Sequence, residues 1–93
     1  MTREQVADYR TQVQDWNVAE DNKSIHREFK FKDFKEAMGF ANEVGDIAEF
    51  EGHHPDIFIH GYRHVKITLS THAVKGLSEN DFILAAKIDK IER

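Results

Sequence analysis

The sequence contains no cysteine among its 93 residues. This absence excludes a disulfide framework, a cysteine-ligated zinc finger and thiol catalysis, and it fits a reducing compartment. Proline occurs once and glycine five times, and 40% of the residues are hydrophobic, which is typical of an ordinary globular protein. We therefore expect a single domain over residues 1–93. A domain of this size buries only about two-thirds of its unfolded surface, so self-association would add stability.

An excess of positive charge and long apolar runs are also missing. The 13 lysines and arginines are scattered and are outnumbered by 17 aspartates and glutamates, which gives a formal net charge of -4 and weighs against nucleic acid as the main ligand. No apolar run approaches the roughly 20 residues of a membrane span, and the first residues lack the features of a signal peptide. The sequence predicts a cytoplasmic protein that binds neither nucleic acid nor membrane.

Hydrophobic periodicity predicts the order helix, two strands, helix, two strands, helix. Capping residues precede the predicted helices at Thr2, Asp33 and Ser78. The first hairpin is expected within residues 16–31, the long helix ends near residues 50–52, and the second hairpin consists of strands 57–59 and 65–71. This order fits an α+β fold in which three helices pack on one face of a four-stranded antiparallel sheet. The edge strands of such a sheet would invite pairing with a second copy.

Three of the six histidines lie where predicted elements end. His53 and His54 follow the long helix, and Pro55 biases His54 toward an extended backbone, so the two rings should point in different directions. His72 is expected to close a strand on the same face as Ser70. Histidine titrates near neutral pH, so convergent rings would supply a general acid and a general base, each contributing about 100-fold or more in rate.

Less specific explanations compete with this one. From spacing alone, a purely structural role for the three histidines is about as plausible as a catalytic role. Metal binding by the same residues is disfavoured, because the sequence has neither a His-x-x-x-His motif on a predicted helix nor a cysteine pair. The other histidines, His26, His60 and His64, are assigned no role. Five phenylalanines at strand or helix spacing are expected in the core rather than in a stacking platform: Phe29, Phe31, Phe34, Phe40 and Phe50.

Taken together, these motifs resemble the pterin-4a-carbinolamine dehydratase family nearly from end to end. The matching segments are Glu49 with Gly-His-His-Pro at 52–55, Tyr62, residues 68–72 and residues 76–81, with weaker support from Trp16 and residues 29–34. The resemblance implies a lyase that dehydrates 4a-hydroxytetrahydropterin to quinonoid dihydropterin, thereby recycling the cofactor of aromatic amino acid hydroxylases. It implies no metal and no cofactor for the enzyme itself, and it implies a homo-oligomer, either a dimer or a tetramer.

The resemblance also implies roles for individual residues. The catalytic residues would be His53, His54 and His72. The residues that hold the planar pterin would be Gly52, Ser70 and Thr71. The supporting residues would be Glu49, Pro55 and Asp81, and Glu49 lies four residues before His53, where it could orient an imidazole ring. Which histidine acts as acid and which as base stays open.

Two features differ from the animal members of the family. Ile57 stands where those members have an aromatic residue two positions after the proline, which would change one wall or stacking contact of the pocket. The hairpin around His60 is one residue longer, which predicts a different turn or a bulge. The alternative to an enzyme is a non-catalytic interaction or assembly scaffold, or a transcriptional dimerisation cofactor, of the same fold.

Overall fold

Local capping signals begin the helices where the sequence indicates. The structure is a computed structural model that describes all 93 residues. Before helix α1 (Arg3–Arg10), the Thr2 hydroxyl accepts a hydrogen bond from the Gln5 N–H, and the Gln5 side chain accepts one from the Thr2 N–H. Helix α2 (Phe34–Glu51) begins after Asp33, whose carboxylate accepts from the Glu36 N–H at 2.8 Å. The expected caps at Thr2 and Asp33 are confirmed.

A Schellman motif ends α2. Gly52 adopts a left-handed conformation with φ at 64°, which glycine reaches without the steric cost that other residues incur. The Gly52 N–H donates to the Glu49 carbonyl at 3.2 Å, and the His53 N–H donates to the Ala48 carbonyl at 3.1 Å. These two bonds fix the direction in which His53 leaves the helix.

Four antiparallel strands form one sheet in the order β1-β2-β4-β3. Their bounds are Asn17–Val18 for β1, Ile25–Lys30 for β2, Asp56–His60 for β3 and His64–Leu69 for β4. The register pairs Ile25 with Leu69 and Ile57 with Ile67. Every second residue of β4 is buried, because side chains alternate between the two faces of a strand.

The three helices cover one face of the sheet, and the core lies between the two layers. Helix α3 (Glu79–Asp89) contacts both α1 and α2, while α2 also contacts β3 and β4. At the end of α3, Asp89 accepts hydrogen bonds from the Trp16 indole and the Arg27 guanidinium, each at 2.8 Å. The predicted fold class and element order are therefore confirmed. No helix is both long enough and apolar enough to cross a membrane.

The last strand is shorter than expected. The strand predicted to run through Thr71 ends at Leu69. Thr71 instead forms an isolated antiparallel bridge with Gly76, and the chain between them turns through a 3-10 helix, His72–Val74. The expectation that His72 closes a strand on the same face as Ser70 is therefore wrong. The turn, rather than the sheet, determines where His72 lies.

Two of the five phenylalanines expected in the core lie outside it. Phe34 and Phe50, near the two ends of α2, are 52% and 87% exposed. Phe29, Phe31 and Phe40 are buried as expected. The buried face of α2 consists of Ala37, Phe40, Val44 and Ala48. Other apolar side chains of the helix lie outside this stripe, so fewer of them are buried than the sequence pattern predicts.

Candidate active site

A buried carboxylate organises the candidate site. Asp81, in the first turn of α3, is fully buried and is the one charged residue of the chain in the core. Its Oδ2 accepts hydrogen bonds from the Ser78 N–H at 3.0 Å and the Thr71 hydroxyl at 2.9 Å. Its Oδ1 lies 2.6 Å from Nε2 of His53. Because a buried carboxylate is costly unless it is hydrogen-bonded, these three contacts explain how the fold accommodates Asp81.

His53 occupies the boundary between the core and solvent. The Schellman motif at the end of α2 sets its backbone, and the bond to Asp81 sets its ring, so that the side chain is only 17% exposed. An ionised Asp81 only accepts hydrogen bonds, so Nε2 of His53 carries the proton that it donates. Nδ1 of the ring is then the nitrogen that has no hydrogen-bond partner within the protein. The pair is thus suited to acid-base chemistry with a ring held in one orientation.

A short loop supports the carboxylate from the other side. The Thr71 hydroxyl lies 2.7 Å from the Ser78 hydroxyl as well as bonding to Asp81. The ends of the loop are joined by backbone hydrogen bonds between Thr71 and Gly76, at 2.7 and 3.3 Å. His72 is the next residue after Thr71, is exposed, and its ring makes no hydrogen bond within the protein. The structure therefore attaches His72 to the same loop that holds Asp81.

His54 points in a different direction from His53, as the sequence predicts. Its Nε2 lies 2.7 Å from the Glu49 carboxylate, and the two side chains are 65% and 78% exposed. The pair borders a shallow groove of about 450 Å³ between α2 and β3, which Pro55 and Ile57 also line. The expected ability of Glu49 to orient an imidazole is therefore realised for His54. His53 is oriented by Asp81 instead.

The remaining predicted site residues have simpler surroundings. Gly52 is exposed at the end of α2, and Ser70 is partly buried without a side-chain hydrogen bond. Ser78 was not among the predicted site residues, although the Ser-x-x-Asp spacing that indicated a helix cap also brings Ser78 against Asp81. No group of three or more histidine, aspartate or glutamate side chains has the arrangement needed to hold a metal ion.

A second histidine group lies on the open face of the sheet. His60 bonds to the Glu28 carboxylate, and its ring stacks on those of Phe58 and His64 with centroids 5.0 and 5.2 Å apart. The hydrogen bond from His60 is the main reason why the pKa of Glu28 is lowered. His60 lies at the far end of β3 from Asp56, the residue that follows Pro55. The two ends of the strand are roughly 13 Å apart at strand spacing. The longer hairpin closes through Gly61 and Tyr62, both with positive φ.

A buried carboxylate that orients an imidazole at the edge of the core is an arrangement suited to proton transfer. Comparison with known proteins then identifies the family. The family described as pterin 4 alpha carbinolamine dehydratase matches residues 1–91. The chain therefore belongs to the pterin-4a-carbinolamine dehydratase family, and the assignment from its motifs is confirmed.

Individual relatives agree with this assignment. The chain is 46% identical over 94 residues to pterin-4-alpha-carbinolamine dehydratase 2, a mitochondrial protein of Arabidopsis thaliana, covering 99% of this chain and 50% of the relative. A crystal structure of a transcriptional coactivator/pterin dehydratase from Brucella melitensis is similar with a TM-score of 0.88 and 34% identity, covering 96% of this chain and 94% of that one. A pterin dehydratase-like protein identified as a RuBisCO assembly factor in the alpha-carboxysome shares the fold, with a TM-score of 0.68, 23% identity and coverages of 84% and 89%.

Proposed function

We propose that this protein dehydrates 4a-hydroxytetrahydropterin to quinonoid dihydropterin by histidine acid-base catalysis. In this reaction the carbon–oxygen bond at position 4a breaks, and the hydroxyl leaves as water after receiving a proton. The proton on the neighbouring ring nitrogen is removed, and a carbon–nitrogen double bond forms. The single observation that supports this proposal most directly is the bond between His53 and the buried Asp81, within a chain that belongs to the dehydratase family.

His53 is best suited to remove the proton from the ring nitrogen. When Nδ1 accepts that proton, the ring becomes an imidazolium cation, and the anionic Asp81 at 2.6 Å stabilises the positive charge. His72, which has no carboxylate partner, would donate a proton to the departing hydroxyl. His54, held by Glu49 in an exposed position, would complete the group of catalytic histidines.

Binding of the planar pterin would rely on groups next to these histidines. Ser70, whose side chain makes no hydrogen bond within the protein, would contact the ligand, and Gly52 is exposed next to His53. The Thr71 hydroxyl already bonds to Asp81 and Ser78, so Thr71 would contribute by holding Asp81 in place. Pro55 and Ile57 would form an apolar wall.

Self-association and cellular context belong to the same proposal. The edge strand β3 exposes Ile57 and Phe58, at 38% and 60%, and has unpaired backbone groups along its outer side. A second copy that pairs with this edge would give the homo-oligomer expected for the family. The enzyme would work in the cytoplasm and would supply recycled pterin to an aromatic amino acid hydroxylase.

The decisive experiment measures dehydration of 4a-hydroxytetrahydropterin in a phenylalanine hydroxylase reaction supplemented with the purified protein. We expect the wild-type protein to accelerate dehydration and His53→Ala to lower turnover by at least about tenfold, the lower range for general acid-base groups. His64→Ala, on the open face of the sheet, is the matched control and should retain the wild-type rate. No acceleration by folded wild-type protein would refute the proposal.

A non-catalytic interaction scaffold is the second candidate. The observation that favours it is the exposed apolar side chains of α2, namely Phe34, Met38 and Phe50. The solved structure from Brucella melitensis is described as both coactivator and dehydratase, so the two roles can coexist in one protein of this fold. If the dehydration assay fails, association of α2 with a helical partner becomes the property to test.

A further inference from the structure

Two adjoining hollows lie on the side of the molecule that carries α1 and the β1–β2 turn. One part, of about 390 Å³, lies between α1 and the edge strand β1. The adjoining part, of about 260 Å³, lies between the β1–β2 turn and residues 74–77 of the loop that follows His72. Arg3 and Asn22 line both parts, so the two parts adjoin, and we refer to them together as the groove. None of the predicted site residues lines either part.

The groove carries a concentration of positive charge that is unusual for this chain. Arg3, Arg10, Lys23 and Lys75 line it, and none of them forms an ion pair, whereas the chain as a whole has a net charge of -4. The ion pairs of the protein involve other cations, namely Arg27, Lys32, Lys87 and three histidines. Unpaired like charges that share a concave surface attract anions.

One carboxylate lines the groove and offsets one of its four positive charges. Asp21 Oδ1 accepts a hydrogen bond from the backbone N–H of Lys23 at 3.0 Å. Arg10 donates to the carbonyl oxygens of Trp16 and Gln14, at 3.0 and 3.2 Å, which are neutral acceptors that leave its charge uncompensated. The groove therefore retains an excess of cations even after its internal hydrogen bonds are counted.

Two facing segments hold the lysines near each other. Lys23 packs against the second segment, since a Cβ added at Gly76 would lie 3.8 Å from its Cγ. Lys75 has a φ of 53° and Asn22 a φ of 62°, a left-handed conformation found at one other non-glycine residue of the chain. This conformation is costly for most residues, so the surrounding structure must hold both segments in place.

We propose that this groove binds a phosphate group. Guanidinium and ammonium groups that line one groove match the several oxygens and the double negative charge of a phosphate better than the single charge of a carboxylate. Two sources of the group have the same chemistry: a free phosphate ion, or a phosphate on the side chain of a pterin ligand. The site goes beyond the proposed dehydration, and only the second source depends on that proposal.

The experiment is a titration of the full chain with inorganic phosphate at constant ionic strength, followed by amide NMR shifts. We expect saturable shifts centred on residues 21–23 and 74–77, and binding at least about tenfold weaker in the double variant Lys23→Gln/Lys75→Asn, because it removes two charge-assisted contacts. Asparagine tolerates the left-handed conformation of position 75. The control, Lys30→Gln/Lys35→Gln, removes the same charge from exposed lysines that form no ion pair.

Three results would overturn the site: shifts that do not saturate, equal shifts with chloride, or equal weakening in the control variant. The two sources are distinguished by dehydration kinetics with phosphorylated and unphosphorylated pterin substrates. A pterin phosphate as occupant predicts that the double variant raises KM for the phosphorylated substrate alone and that inorganic phosphate competes with it. A free ion predicts equal effects on both substrates. Because the titration does not require activity, failure of the phosphate site and failure of the dehydratase proposal are separate results.

Discussion

Two carboxylate–imidazole pairs in this protein differ chiefly in burial. In the inner pair, the side chains of His53 and Asp81 are 17% and 0% exposed, and the carboxylate has further bonds to Thr71 and Ser78. In the outer pair, on the open face of the sheet, His60 and Glu28 are 36% and 47% exposed. Water can replace the partner in the outer pair but not in the inner one. The same two chemical groups therefore form a fixed site in one place and an adjustable surface contact in the other.

The largest expected difference between the pairs is in stability. Asp81→Ala leaves three polar partners inside the protein without an acceptor, and we expect a loss of about 3 kcal/mol or more in the free energy of unfolding. Glu28→Ala should change it by less than about 0.5 kcal/mol, as is usual for exposed positions. Urea denaturation of both variants measures the two values. Similar losses would mean that burial does not distinguish the pairs.

The next effect concerns which ring nitrogen of His53 carries the proton, rather than stability. In Asp81→Asn the amide keeps the shape of the carboxylate but presents an N–H group to His53, which would then carry its proton on Nδ1. We expect turnover to fall by at least about tenfold while the protein stays folded. Nitrogen NMR of the His53 ring should show the protonated nitrogen changing from Nε2 to Nδ1.

Glu28→Gln is the matched control for this change, since it alters the outer pair in the same way. Its turnover should equal that of the wild-type protein. If Asp81→Asn retained full turnover with the tautomer changed, Asp81 would be a structural residue and not a positioning residue for His53.

A smaller effect is expected at the loop that supports Asp81. Thr71→Val keeps the shape of the side chain but removes the hydroxyl that bonds to Asp81 and Ser78, which should cost about 1–2 kcal/mol of stability. Ser70→Ala, next to it but without a side-chain hydrogen bond, should cost less than about 0.5 kcal/mol. Thermal unfolding of the two variants compares them directly. A larger loss in Ser70→Ala would contradict the role given to Thr71.

Sequence patterns were sufficient for the overall fold because its signals are local. The caps at Thr2 and Asp33 and the alternation along β2 and β4 depend on neighbouring residues, and each has the expected outcome in the structure. The end of β4 was not predictable in this way. Whether Thr71 extends the strand or bonds to Asp81 depends on α3, ten residues further along the chain.

The same distinction applies to the histidines. The divergence of His53 and His54 follows from the glycine before them and the proline after them, both visible in the sequence. The pairing of His53 with Asp81 was not visible, because the two residues are 28 positions apart. The sequence around Asp81 indicates only that its side chain caps α3. The pairing of His60 with Glu28 likewise depends on the sheet register, which periodicity alone does not specify.

The smallest expected effect is the pH dependence of the outer pair. The hydrogen bond from His60 holds the pKa of Glu28 below its ordinary value of 4.5. A lowered pKa in the folded state means that the unfolded state binds more protons, so the stabilisation is complete above pH 4.5 and is lost as the pH falls through the folded value. Carbon NMR titration of the Glu28 carboxyl should give a pKa below 4.5 in the wild-type protein and a higher one in His60→Gln. An unchanged pKa in His60→Gln would show that the outer pair does not act as a pair in solution. In that case burial would determine whether a carboxylate–imidazole hydrogen bond forms in this protein, and not only how rigidly the two side chains are held.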